Sequence, residues 1–149
     1  MIEDIIKRAE AGDPKAQQEL AHMYCHGPIR VSPPRGGWVP GSFEKWKLHE
    51  MPQADARKAA YWARRSAEQG YVPAMVTLIS AIRDGGEGDP PDNVEVYKWA
   101  LIASANGMRV AVQHVEIIEG KGYSGEPRLK SYEIIEGQRR ALLFRPASE

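Results

Sequence analysis

One cysteine, Cys25, stands alone in 149 residues, so no internal disulfide holds the fold and no pair of thiols sits at zinc-ribbon spacing. Net charge is missing too. Twenty Lys and Arg balance 20 Asp and Glu, which argues against a protein that grips nucleic acid by neutralising phosphates. No apolar run approaches the roughly 20 residues of a membrane span, and the mean hydropathy is −0.50. The opening Met1-Ile2-Glu3-Asp4-Ile5 is acidic where a secretory signal is basic, and no apolar stretch follows it. The expected location is therefore cytoplasmic. Strand-like alternation of polar and apolar residues is also absent. What remains is a composition 42% hydrophobic and 27% charged, suited to one domain with a modest core.

The chain repeats itself. An offset of 37 residues carries Trp62 onto Trp99, Ala63 onto Ala100, Gly70 onto Gly107, Ala74 onto Ala111 and Leu78 onto Val115. An earlier copy appears at an offset of 58, which sets Gly12, Ala16, Leu20, Tyr24 and Gly27 on Gly70, Ala74, Leu78, Ile82 and Gly85. The excess of 21 residues lies between Gly27 and Asp55, so the first copy carries an inserted loop. Such internal periods mark arrays of small supersecondary units.

Each unit reads as two helices. Ala16, Leu20, Met23 and Tyr24 fall on one helical stripe, as do Ala59, Trp62, Ala63 and Ala67. Gly12, Gly70 and Gly107 follow helical runs, where a left-handed C′ residue is expected, and Asp92 is placed to cap the next helix with Glu95 at its third position. Small residues at Ala63, Ala67, Ala100 and Ser104 let neighbouring helices approach closely.

Gly12 to Gly27, followed by Asp55-Ala56-Arg57-Lys58-Ala59-Ala60-Tyr61-Trp62 through Ser66-Ala67-Glu68-Gln69-Gly70, resembles the Sel1-like repeat, a relative of the tetratricopeptide repeat. Ala74 through Gly107, with Tyr97-Lys98-Trp99, is similar to it in turn, and Glu136-Gly137-Gln138-Arg139-Arg140 resembles the helix that closes such arrays in bacterial members. The resemblance implies an all-α fold, a right-handed α/α superhelix of antiparallel helix pairs with about seven helices. The expected organisation is a single domain over 1–149. Within it, 1–11 is a capping helix, 12–70 the first repeat with its insert at 28–53, 71–107 the second, and 108–149 a degenerate third repeat with a terminal cap. Departures from the pattern are Ile82 for the usual tyrosine, Ile79 for a small residue, and Glu116 and Glu119 where the third copy would face its packing partner. End units need a polar outer face, so such departures suit a cap.

The resemblance also implies that the first helices line a concave face that binds a peptide or protein. With Leu20, Ala21 and Tyr24 packed inward, the groove positions are Gln18, His22 and Cys25, then Val76, Ser80 and Arg83, then Gln113 and Ile117. The insert adds Trp38, Phe43 and Trp46 among several prolines and basic residues, the makings of an interface hot spot whether as a lid or as an exposed loop. His22, Cys25 and His26 at i, i+3 and i+4 are the one set with metal-ligand spacing, but a fourth ligand would have to come from His49 or His114. No metal or cofactor is expected, and a free thiol open to oxidation is the stronger reading of Cys25. Gly85-Gly86-Glu87-Gly88 lacks the Lys-Ser/Thr ending of a phosphate loop and reads as a turn between helices. Lys58, Arg64 and Arg65 with Glu68 read as a solvated mixed-charge face.

No Ser-x-x-Lys motif or other catalytic constellation occurs. The expected function is a non-catalytic adaptor with a protein or peptide partner, without nucleic-acid binding, and with end-to-end homodimerisation open to it. The alternative is an inhibitor or immunity-type binder of a cognate toxin or enzyme; a metal-dependent or β-lactamase-like hydrolase has the least support.

Overall fold

Three helices of this protein begin on an aspartate, at positions 13, 55 and 92. In the computed structural model, which describes residues 2–27, 52–121 and 128–148, each of these aspartates has extended backbone and turns its carboxylate onto free N–H groups of the first turn. Asp13 accepts from the Lys15 amide at 3.0 Å, Asp55 from Arg57 and Lys58 at 3.0 and 3.2 Å, and Asp92 from Val94 and Glu95 at 3.1 and 3.2 Å. A carboxylate there satisfies donors that the helix itself leaves unpaired. At the opposite ends stand Gly70 and Gly107, with φ of 89° and 90°, a conformation that side chains with a Cβ resist. Asp55 to Gly70 and Asp92 to Gly107 thus bracket two helices in the same register.

Seven helices occupy the described residues, and no strand is found among them: α1 (Ile2–Glu10), α2 (Pro14–His26), α3 (Ala56–Glu68), α4 (Val72–Arg83), α5 (Asn93–Ala105), α6 (Arg109–Glu119) and α7 (Ser131–Leu143). The fold is all-α, as the sequence predicts. Consecutive helices pack on one another from α1 to α6; α2 also touches α4, and α7 lies on α5. None of the described helices is long and apolar enough to cross a membrane.

Alanine dominates the contacts that bring the helices together. Ala59, Ala63 and Ala67 of α3, Ala74 and Leu78 of α4, and Ala100 and Ala103 of α5 are fully buried in one cluster, which lets the backbones approach while Tyr97 and Trp99 fill the wider space. Ile79 and Ile82 lie in the same core, so these departures from the repeat pattern are filled by packing. A smaller cluster joins Ala9, Ala16 and Leu20 to Ile5 and Ile6, seating α1 on α2. Two buried polar side chains tie this end together: Gln17 donates to the Ala9 carbonyl at 2.9 Å, and the Ser66 hydroxyl to that of Pro14 at 2.6 Å. Each is bonded, as a buried polar group must be to avoid a desolvation cost.

The glycine-rich segment after α4 is a turn leading to α5. A Cβ at Gly86 would collide with the Ala56 carbonyl oxygen, so only glycine lets the turn press onto the start of α3. There Glu87 receives both Nε and Nη2 of Arg64, at 2.6 and 2.5 Å. The reading of Arg64 as part of a solvated face is corrected: its forked guanidinium clamps the turn, while its i,i+4 partner Glu68 is 3.5 Å away. The reading of Glu116 is corrected too, because that side chain is exposed. Glu119 does face inward, where it accepts the Tyr97 hydroxyl at 2.5 Å. After α7 the chain turns back, with Phe144 edge-on to Trp99 and the Ala147 amide donating to the Glu68 carbonyl at 2.8 Å.

Candidate functional site

Helices α2 and α4 touch through one face of each, and beside that contact lies a pocket of about 540 Å³. From α2 come Gln18, His22, Cys25 and His26, spaced so that they share a helix face; from α4 come Val76, Thr77, Ser80 and Arg83, with Asp84 just beyond its end. The volume falls in the range of small-molecule and peptide-anchor sites. Six of the eight groove residues expected from the sequence therefore line one cavity: Gln18, His22, Cys25, Val76, Ser80 and Arg83. The other two, Gln113 and Ile117, lie on α6 outside its wall. Trp38, Phe43 and Trp46, and with them the insert, lie outside the described residues, as does His49.

Gln18 spans the two helices. Its Nε2 donates to Thr77 Oγ1 at 2.7 Å, which fixes the side chain across the pocket floor. Its Oε1 is buried, and among the described residues it has no hydrogen-bond partner. A buried acceptor left unpaired is costly.

Arg83 links the pocket to α6. Its Nη1 lies 3.2 Å from Nδ1 of His114, and because a guanidinium can only donate, Nδ1 must accept, which leaves the proton of the neutral ring on Nε2. Burial is the main cause holding the His114 pKa below its ordinary value, with the positive charges of Arg83 and Arg128 adding to it. Among the described residues no carboxylate forms an ion pair with Arg83, which leaves most of its donors for a ligand.

His22 and His26 stack edge to face, with ring centroids 4.3 Å apart. Burial and then the neighbouring His26 lower the pKa of His22. For Cys25 the shift is upward, through burial first and the nearby Asp84 second. Cys25 is a free, half-buried thiol, and because the nucleophilic species is the thiolate, the raised pKa slows its reaction. Among the described residues no group of three or more His, Cys, Asp and Glu side chains is placed to hold a metal ion.

Sequence reasoning left three lining residues out of the groove. His26 is four residues from His22 and Asp84 four from Ser80, so helical spacing alone would have reached both. Thr77 required knowledge that α2 lies against α4. What the assembled site offers chemically is hydrogen bonding from Thr77, Ser80 and the imidazoles, and positive charge from Arg83. No protein-family model matches the chain, and no curated protein matches it.

Proposed function

We propose that this protein is a Sel1-like repeat protein, a right-handed solenoid of antiparallel helix pairs, which binds an extended peptide segment of a protein partner without catalysis. The observation that carries the reading is the pocket between α2 and α4. Equivalent helices of two successive repeats present faces side by side there, and those faces hold unused hydrogen-bonding capacity at Arg83. Repeat landmarks support the architecture, since Asp55 and Asp92 cap helices of equal length that run to Gly70 and Gly107.

The chemistry of the lining selects the peptide. Arg83 is the guanidinium of this lining and Asp84 its carboxylate, and with no ion pair on Arg83 among the described residues an acidic side chain or a terminal carboxylate is the group that Arg83 receives, bidentately where geometry allows.

Selection of displayed random peptides against the wild-type protein and against Arg83→Ala tests this. Acidic sequences enriched on the wild type and lost on the variant are the expected result. Equal enrichment on both, or none on either, rejects the pocket as the binding surface.

A further inference from the structure

Helix α7 shows two opposite faces. Ile134, Gly137 and Ala141 turn inward onto the core, whereas Tyr132, Ile135, Leu142 and Leu143 are 67%, 64%, 77% and 62% exposed. At 100° per residue the exposed four fall within a stripe about 100° wide, with Arg139 at its centre. Soluble monomers seldom leave so many large apolar side chains on one helix face without a use for them.

We infer that this stripe is the seam of a symmetric dimer, in which α7 packs antiparallel on α7 of a second copy. The stripe is complementary to itself about a twofold axis near positions 138 and 139. With a rise of 1.5 Å per residue, such an axis brings Ile135 level with Leu142 of the other copy, and Tyr132 within about 3 Å along the axis of the other Leu143. The charges obey the same symmetry. Glu136 holds Arg139 through two bonds of 2.7 and 2.9 Å and Arg140 through one of 3.0 Å. In the antiparallel pair Glu136 comes level with Arg140 of the other copy to about 1.5 Å and stands beside the other Arg139. Along one edge of the seam the four arginines then lie together about the axis, with a glutamate closing each end of the row. The two Arg139 side chains that meet at the axis are each bonded to Glu136 of their own copy, and arginine is common in such positions.

Size sets the strength. Four half- to three-quarter-exposed apolar side chains offer roughly 500 Å² per copy, about 1,000 Å² in all, which is the low end for specific interfaces. An interface of that size is weak and reversible.

Light scattering on the full chain from about 5 to about 500 μM reads the mass directly, over the concentrations at which a weak interface responds to mass action. The expected mass climbs from the 16.6 kDa of one chain toward twice that, and Leu142→Asp, an exposed position, keeps the helical circular dichroism and stays single at every concentration. Cross-linking then fixes the geometry in a Cys25→Ser background. Arg139→Cys lies at the axis and oxidises to a disulfide with its twin, whereas Tyr132→Cys lies roughly 20 Å from its own twin and does not. A wild-type mass that stays single throughout overturns the inference and leaves the stripe to a different partner. A dimer that Leu142→Asp leaves intact, or one in which Tyr132→Cys cross-links as readily as Arg139→Cys, overturns α7 as the seam.

Discussion

Gly137 of α7 lies so close to Tyr97 of α5 that a Cβ there would stand 2.5 Å from Cδ2 of the ring. A glycine inside a helix normally costs about 1 kcal/mol relative to alanine. Here the contact reverses the sign, because Tyr97 is fully buried and its hydroxyl is tied to Glu119 and Gln138. The ring cannot swing aside.

Gly137→Ala is therefore destabilising, by about 1–2 kcal/mol after the gain in helix propensity, since overpacking of this kind costs about 1–3 kcal/mol. Urea denaturation followed by circular dichroism measures it. A variant as stable as the wild type, or more so, would mean that α7 is not seated on Tyr97.

The phenol of Tyr97 provides a second test. Burial, then the bond to Glu119, pushes its pKa up to about 12, against an ordinary value near 10 in the unfolded chain. The folded state thus holds its proton longer, and the stability this supplies is complete below pH 10 and disappears as pH climbs from 10 to 12. The loss is on the order of 2 kcal/mol. Tyr97→Phe removes this alkaline slope, and a difference titration of tyrosinate absorbance, wild type minus variant, is expected to show one phenol ionising near 12. Ionisation of that phenol near 10 would refute the buried hydrogen bond.

Near neutrality the slope comes from histidine and has the opposite direction. His22 and His114 both have pKa values lowered from 6.5, in each case chiefly by burial. Below pH 6.5 the unfolded chain takes up protons that the folded chain declines, so stability falls as pH drops from about 7 toward 5. Replacing both residues by glutamine flattens the urea midpoint over that window, and a slope unchanged by the double variant would place its source elsewhere.

How much of the fold is legible in the sequence depends on distance along the chain. Aspartate caps and C′ glycines act within four residues of the groups they satisfy, so Asp92, Gly70 and Gly107 can be read directly, and the 37-residue offset then places the paired helices. The pocket is legible by halves. Spacing identifies Gln18, His22 and Cys25 on one helix and Val76, Ser80 and Arg83 on another, but Thr77 matters only once α2 lies against α4. Arg64 and Glu87 are 23 residues apart, and no local rule joins them; a glycine pressed onto the Ala56 carbonyl does. The exposed face of α7 escapes a sequence reading for a related reason, because which of its apolar residues meet the core is decided by Tyr97, far away in the chain, at Gly137.

Cys25 gives the last prediction. Burial is the larger cause of its raised pKa and the Asp84 carboxylate the smaller, so at pH 8 its alkylation is slower than that of a free cysteine, in proportion to the smaller thiolate fraction. Asp84→Asn removes only the smaller cause, and the expected result is a modest acceleration with the pH–rate profile moved toward lower pH while remaining above that of free cysteine. Timed reaction with iodoacetamide, read by intact mass, follows both proteins. If Asp84→Asn leaves the profile where it was, the carboxylate does not face the thiol. If it brings Cys25 level with free cysteine, the carboxylate and not burial holds the thiol protonated, and the pocket wall between α2 and α4 is more open to water than the lining implies.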